Sequence, residues 1–296
     1  MLAMFLKGII ANKKKSDMKK VLITYGDSKF EISKTRFVQQ AGALKIFDKI
    51  IAYSEQDLSE ELRNSEIFKE KRGGGLWSWK PDVILTTLNN MEDGDILVYC
   101  DAGCSLYASK EWQRIWNELH QYEIIAQRIY QRTDQWTRKN IIQYFETSNA
   151  QKWEKSFQFL ATVIVLKATP FTRKLITEWR KLMIVHPELV KDVTCEERKS
   201  ESKKFIENRH DQSIYSALIY KYLNVPDYCG KIKVQWEHIE DYDILSKQAI
   251  RATRLRNGEK QELPTAKTKA IIKRLIKDYI FRPFRYAPKQ WYYKHK

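Results

Sequence analysis

Residues that could bind a phosphorylated ligand are concentrated between Lys71 and Ser105. Three consecutive glycines, at positions 73 to 75, would let the backbone approach a ligand closely and supply N–H groups to it. Arg72 and Lys80 lie on either side of these glycines and could balance the charge of a diphosphate. The spacing is not that of a Walker or Rossmann motif, so a flexible surface turn with solvated charges is the alternative interpretation.

Asp101 directly follows the apolar run 96–100, which predicts a carboxylate at the end of a buried strand. In open α/β sheets, ligands bind beyond the carboxyl ends of the strands, and Gly103 would keep the approach to Asp101 open. A carboxylate oxygen at that place could bind a divalent metal ion that bridges two phosphates. The alternative is that Asp101 only caps a turn.

Tyr25 and Asp27 stand at the end of another apolar run, 21–25, which predicts a second strand end beside the same ligand. We expect the base and ribose of a nucleotide to lie near these two residues. Gly74 belongs to the same predicted donor site through the glycine loop.

Asp211 opens a predicted helix over 211–222, where it could act as an N-cap or as a catalytic carboxylate. A carboxylate within reach of a bound hydroxyl could act as a general base. His210 and Gln212, its neighbours, are candidate ligand-binding groups.

Trp77 and Trp79 flank Ser78 just after the glycines, and their faces could stack on sugar rings. Packing in the core is the alternative for each of them. Trp136 and Trp153 lie in similar polar contexts, and His238 is a candidate metal ligand late in the chain, although a lone histidine is more often structural.

Strands alternate with helices along the chain, which predicts an α/β fold with a mostly parallel central sheet flanked by helices. Pro81 fits the first turn of one of these helices, where its missing N–H costs little. The predicted strands are 21–25, 49–53, 95–100, 122–129 and 159–166, and the predicted helices are 29–44, 80–91, 171–184 and 211–222.

Three segments, RGGGLWSWKP, GDILVYCDAGCS and NRHDQSIYS, resemble bacterial GT-A glycosyltransferases of capsular and O-antigen polysaccharide synthesis. The resemblance covers about residues 21 to 222. It implies a GT-A fold, a nucleotide-diphospho-sugar donor (a UDP-sugar favoured), a glycan acceptor and usually Mn²⁺ or Mg²⁺. It also implies that Asp101 binds the metal and that Asp211 faces the acceptor, as general base while an oxocarbenium-like sugar forms at the donor. The candidate acceptor-binding residues are then Trp77, Trp79, His210 and Gln212.

The sequence departs from the wider GT-A pattern at the metal motif, because Asp-x-Asp is replaced by Asp101-Ala102-Gly103. One carboxylate remains. Either Asp101 holds the metal with water and phosphates completing its coordination, or Arg72 and Lys80 replace the metal.

The composition predicts a globular protein, since 43% of the 296 residues are hydrophobic and 12% are aromatic. The four cysteines form no C-x-x-C pair, which argues against a disulfide framework or a zinc site and favours a reducing cytoplasm. The apolar start MLAMFLKGII is too short to span a bilayer, so we expect any membrane contact to be peripheral, on the inner face of the cell membrane.

The positive charge is concentrated in the last 46 residues. The net charge is +16, of which residues 251–296 carry 14 Lys/Arg against 3 Asp/Glu, or +11, leaving 39 − 34 = +5 for the rest. We therefore predict a lead at 1–18, a catalytic domain at 19–250 and a basic tail at 251–296. Apolar residues at 271, 275, 279 and at 272, 276, 280 oppose a cationic side, which suits the surface of an anionic membrane. A terminal helix packed on the domain is the alternative.

Two other classes of function compete with a sugar transferase. Basic residues interleaved with aromatics can bind nucleic acid, but most of the excess charge lies in one tail and no nucleic-acid motif is present, so we expect no nucleic-acid partner. The other is a non-catalytic membrane adaptor that retains the transferase fold after losing the second metal carboxylate.

Overall fold

The computed structural model describes residues 18–146, 153, 155–237, 239 and 248–255. Within these residues, strands and helices alternate as the sequence predicts. None of the helices in this part of the chain is long and apolar enough to cross a membrane. The strands are β1 (Lys20–Tyr25), β2 (Lys49–Tyr53), β3 (Ile96–Cys100), β4 (Ser105–Leu106), β5 (Ile124–Arg132), β6 (Phe157–Phe159), β7 (Val163–Lys167), β8 (Ile232–Trp236) and β9 (Ile250–Arg251).

The longer helices surround the sheet, and the shorter ones form single turns in the connections. In the described part of the chain, the connections also contain four 3₁₀ turns, at Ser28–Phe30, Glu55–Asp57, Ile67–Lys69 and Glu197–Ser200. The helices are α1 (Glu31–Leu44), α2 (Glu60–Arg63), α3 (Gly73–Leu76), α4 (Trp79–Asn89), α5 (Glu111–Gln121), α6 (Thr133–Trp136), α7 (Lys139–Glu146), α8 (Pro170–Val185), α9 (Pro187–Val190), α10 (Asp211–Leu223) and α11 (Pro226–Cys229).

The central sheet is mixed, with strand order β2-β1-β3-β7-β5-β6 and with β8 pairing on β5. Strands β2, β1 and β3 are parallel, whereas β7 is antiparallel to both of its neighbours. The predicted single strand at 159–166 is wrong, because β6 ends at Phe159 and β7 begins only at Val163, and the two strands pair with different parts of β5. The predicted α/β class with helices around a central sheet is confirmed.

Two layers of buried apolar residues pack against the sheet, one on each face. Alternate residues of β3 enter opposite layers, since Leu97 packs with α4, α8 and α10 whereas Val98 packs with α1 and α5. This strand is completely buried, as the apolar run in the sequence indicates. Both of its faces are therefore fixed, and the position of Asp101 at its end is fixed with them.

The last described residues belong to the domain. Strand β9 pairs with β4, and the N–H of Leu255 donates to the carbonyl of Gly103 over 3.2 Å. Ala252 is buried. The first five residues of the predicted tail, 251–255, are thus packed on the domain, and the remainder of that tail lies outside the described residues.

Candidate functional site

A cleft with a cavity volume of about 540 Å³ opens at the carboxyl ends of β1 and β3. These parallel strands end side by side, with Ile23 in register with Tyr99, so Tyr25 and Asp101 reach the same edge of the sheet. The cleft is lined by Tyr25, Gly26, Asp27, Lys29, Phe30, Lys71, Gly73, Gly74, Trp77, Trp79, Asp101, Ala102, Gly103, Cys104, Thr162, Arg209, Ala252, Arg254 and Leu255.

Lys80 joins two carboxylates at the base of this cleft. Its ammonium lies 2.7 Å from Oδ2 of Asp211 and 3.4 Å from Oδ1 of Asp101. Lys80 and Asp211 are buried, whereas the Asp101 side chain keeps 33% of its surface exposed. The Tyr99 hydroxyl donates to the same Oδ1 of Asp101 over 2.5 Å. Asp101 thus reaches the cleft with one oxygen already bonded from below.

The electrostatics of this cluster favour a charged lysine. Burial by itself lowers the pKa of Lys80, but the carboxylates of Asp101 and Asp211 outweigh burial and raise that pKa above its ordinary value. Asp211 shows the opposite balance, because burial raises the pKa of its carboxyl more than Lys80 lowers it, and Asp101 raises it further. Burial likewise raises the pKa of Tyr99, which stays a hydrogen-bond donor.

The glycine loop forms a left-handed turn. All three glycines have positive φ, at +60°, +57° and +90°, and Leu76 and Trp77 continue the turn with φ of 52° and 63°. A residue with a side chain costs about 1–2 kcal/mol in this region, so the three glycines lower the cost of a turn that Leu76 and Trp77 also enter. A Cβ on Gly73 would lie 2.6 Å from the Trp77 indole.

Of the three glycines whose N–H groups were expected to face a ligand, Gly74 and Gly75 donate within the turn instead, as do Leu76 and Trp77 after them. Their N–H groups are bonded within the turn, since a left-handed turn closes its own hydrogen bonds much as a right-handed one does. The N–H of Gly74 donates to the carbonyl of Lys71, that of Gly75 to Glu70, that of Leu76 to Arg72 and that of Trp77 to Gly73.

Arg72 and His210 face Asp192 and not the cleft. The Arg72 guanidinium donates to Asp192 over 2.9 Å, and His210 Nε2 lies 2.9 Å from the same carboxylate oxygen. The His210 ring also lies 5.2 Å from the Trp77 ring. Burial lowers the pKa of His210 although Asp192 opposes this, and His210 and Arg72 together lower the pKa of Asp192 despite its burial. This linkage ties the glycine turn to the start of α10.

His210 has a strained backbone, with φ of 48° and ψ of −115°. The N–H of Gln212 donates to the carbonyl of Arg209 over 2.9 Å, so His210 is the second residue of a turn. Those angles are close to the first central position of a type II′ turn, which glycine normally fills. Strain of this kind persists where the surroundings fix a residue in place, here Asp192 and Trp77.

The structure brings seven of the predicted site residues to the cleft and leaves five behind its wall. Trp79 has one face covered, because its ring stacks on Tyr25 at 4.1 Å, and its Nε1–H donates to Gly73. Gln212 binds Gln131 and Gln158 through its amide nitrogen. Those at the cleft are Tyr25, Asp27, Gly74, Trp77, Trp79, Asp101 and Gly103, and those behind it are Arg72, Lys80, His210, Asp211 and Gln212.

Four basic residues of the cleft lining were not predicted: Lys29, Lys71, Arg209 and Arg254. Lys71 makes no ion pair within the described residues and is exposed at the cleft. Arg209 pairs with Glu207 over 3.0 Å and lies over the Trp136 ring at 4.2 Å. Lys71 and Arg209 each stand next to a predicted site residue in the sequence, and this position was the one feature of the sequence that pointed to them.

The described residues around Asp101 do not fit a divalent metal ion. Among them, no group of three or more His, Cys, Asp or Glu side chains could hold one. Asp101 already bonds Tyr99 and Lys80, and a cation beside it would face the Lys80 ammonium. His238, the other candidate ligand, lies outside the described residues.

No protein-family model matches the chain, and no curated protein matches it in sequence. Among solved structures, it is similar to the galactosyltransferase LgtC in complex with donor and acceptor sugar analogues, at 13% identity, 72% coverage of each chain and a TM-score of 0.36. Mouse xyloside xylosyltransferase 1 matches at 11% identity, 74% coverage of this chain, 85% of that chain and a TM-score of 0.38. The bifunctional IspDF of Campylobacter jejuni matches at 13% identity, with 76% coverage of this chain, 50% of that chain and a TM-score of 0.34. All of these TM-scores are below 0.5, and we draw no conclusion about function from them.

Proposed function

We propose that this protein is a glycosyltransferase with a GT-A fold that uses a nucleotide-diphospho-sugar donor. One observation carries the proposal: three segments far apart in the sequence meet at one cleft. Lys80 of the first segment pairs with Asp101 of the second and with Asp211 of the third. These are the segments whose sequences resemble bacterial GT-A glycosyltransferases. A buried lysine shared by two carboxylates is costly to build, and its place beside a cleft favours a functional site.

The donor fits the chemistry of the cleft lining. Tyr25 and Asp27 would contact the base and ribose at the end of β1, and we favour uridine as the nucleoside. Lys71 and Arg254 would stabilise the diphosphate, whose negative charge grows as it leaves the sugar. The Asp101 carboxylate, which is partly exposed at the cleft, is suited to accept a hydrogen bond from a sugar hydroxyl.

The acceptor in this proposal is a glycan, free or lipid-linked, of a cell-surface polysaccharide. Trp77 lines the cleft and could stack on a sugar ring. Asp211 as general base stays a prediction, because its carboxylate is buried against Lys80 and would have to act through a change at that pair. The basic tail would hold the enzyme on the inner face of the cell membrane, in the cytoplasm.

A thermal-shift screen of UDP-, GDP-, CMP- and dTDP-sugars tests the proposal on the full chain. A ligand that binds only the folded state raises its apparent stability, and we expect one diphospho-sugar, UDP-linked, to do so. Transfer to a small glycan acceptor should then be measured with that donor. Stabilisation without hydrolysis or transfer would favour the non-catalytic adaptor, and no stabilisation by any of the four would reject a nucleotide-sugar enzyme.

A further inference from the structure

The base of the cleft already contains a positive charge where a bound metal would supply one. Lys80 is buried, and its ammonium contacts Asp101 from below while Asp101 faces the cleft. On the far side of Lys80, Oδ2 of Asp211 lies 2.7 Å from this ammonium and keeps it in place. The Lys80 ammonium cannot swing toward the solvent without leaving a buried carboxylate unpaired.

The lining of the cleft carries more positive than negative charge. Four basic residues and two carboxylates line it among the described residues, and one of those carboxylates, Asp101, shares the Lys80 ammonium with Asp211. The other, Asp27, accepts the N–H of Lys29 at the start of a 3₁₀ turn. Lys71 and Arg254 are exposed at the cleft, where an anion could reach them without losing much water.

We propose that the cleft binds a nucleoside diphosphate without a divalent metal ion, with Lys80 fixing Asp101 and with Lys71 and Arg254 contacting the phosphates. This inference rests on the proposed function. It replaces the expected Mn²⁺ or Mg²⁺ by charges of the chain itself. In this proposal Lys80 and Arg72, which were predicted to contact the donor, do not touch it. Lys80 positions Asp101, and Arg72 pairs with Asp192.

Isothermal titration of the full chain with UDP, in EDTA and again in Mn²⁺, measures the metal requirement directly. We expect the Kd for UDP to agree within about threefold between the two conditions. Lys71→Met should weaken binding about tenfold, as expected for loss of a hydrogen bond between charged groups, and Lys71→Arg should restore most of it. Lys181→Met, which removes an exposed lysine of α8 away from the cleft, is the matched control and should bind UDP like the parent.

Electron paramagnetic resonance of Mn²⁺ gives a second readout that needs no nucleotide. We expect the signal of free Mn²⁺ to persist when the full chain is added. The inference is overturned if the chain quenches that signal and Asp101→Asn restores it, or if Mn²⁺ strengthens UDP binding more than about tenfold. Absence of binding to any nucleoside diphosphate, in EDTA and in Mn²⁺ alike, would instead reject the proposed function, and the Mn²⁺ signal would still decide the metal question.

Discussion

Lys80 keeps its charge in a buried site because the carboxylates of Asp101 and Asp211 replace the water that it loses. The buried Asp211 carboxylate in turn needs Lys80 as its partner. Lys80→Met should lower the free energy of unfolding by about 3–5 kcal/mol, the usual result of removing one partner of a buried ion pair. Adding Asp211→Asn should recover part of this loss, since the unpaired buried carboxylate is then removed. Urea unfolding at neutral pH measures both. A double variant that is less stable than Lys80→Met would contradict the shared pairing.

His210 makes stability depend on pH in a window set by its lowered pKa. The folded protein binds the His210 proton less well than the unfolded chain, whose ordinary pKa is 6.5, so the contribution is present above about pH 6.5 and is lost as the pH falls toward the folded value. Asp192, with its lowered pKa, loses its contribution only as the pH falls below its ordinary 3.8. Arg72 and Asp211 are the other charged groups that act on the His210 ring.

His210→Asn should therefore reduce the loss of thermal stability between about pH 7 and pH 5.5, because asparagine does not titrate there. Asparagine also tolerates positive φ better than most residues. His120→Asn, at an exposed position of α5, serves as the control and should retain the parental pH dependence. Equal pH dependence in the parent and in His210→Asn would contradict this prediction, because it would mean that the folded and the unfolded protein bind the His210 proton equally well.

At the scale of elements, the left-handed turn at α3 sets the position of Trp77 and of the cleft wall. Gly73→Ala should lower the free energy of unfolding by more than about 1 kcal/mol, because φ is +60° and the new Cβ would meet the Trp77 ring at 2.6 Å. Gly42→Ala is the matched control, since this exposed glycine in α1 leaves open space for a Cβ. It should raise stability by about 0.5–1 kcal/mol. A harmless Gly73→Ala would mean that the turn is not needed as described.

The sequence predicted the elements better than their contacts. Apolar runs located β1, β2 and β3 because a buried strand needs a continuous apolar stretch, and the glycines marked the turn. Neither the left-handed conformation of Leu76 nor the pairing of Lys80 with Asp211 could be predicted, because both depend on contacts between distant segments. The break between β6 and β7 was missed for the same reason, since the pairing with β5 decides it.

At the scale of the whole molecule, most of the excess charge lies beyond the described domain. Residues 267–296 contain ten Lys/Arg, whereas the chain up to residue 250 has a net charge of +5. Leu255, the last described residue, lines the cleft, so the basic segment follows the candidate site directly in the sequence. None of the residues that we propose for donor or acceptor binding lies in the segment from residue 266 onward.

Deleting residues from about 266 onward should release the protein from anionic vesicles and spare transfer to a small soluble acceptor. Each Lys/Arg near an anionic surface contributes about 1 kcal/mol before screening, and the apolar residues at 271, 275 and 279 would add burial in the interface. Vesicle co-sedimentation measures the release, and binding of the full chain should weaken as salt rises. Changing Lys269, Lys273 and Lys277 to glutamine keeps the length and should weaken binding in part. If the truncated protein unfolds or loses activity on the soluble acceptor, the segment is a packed part of the domain, and membrane attachment through it is rejected.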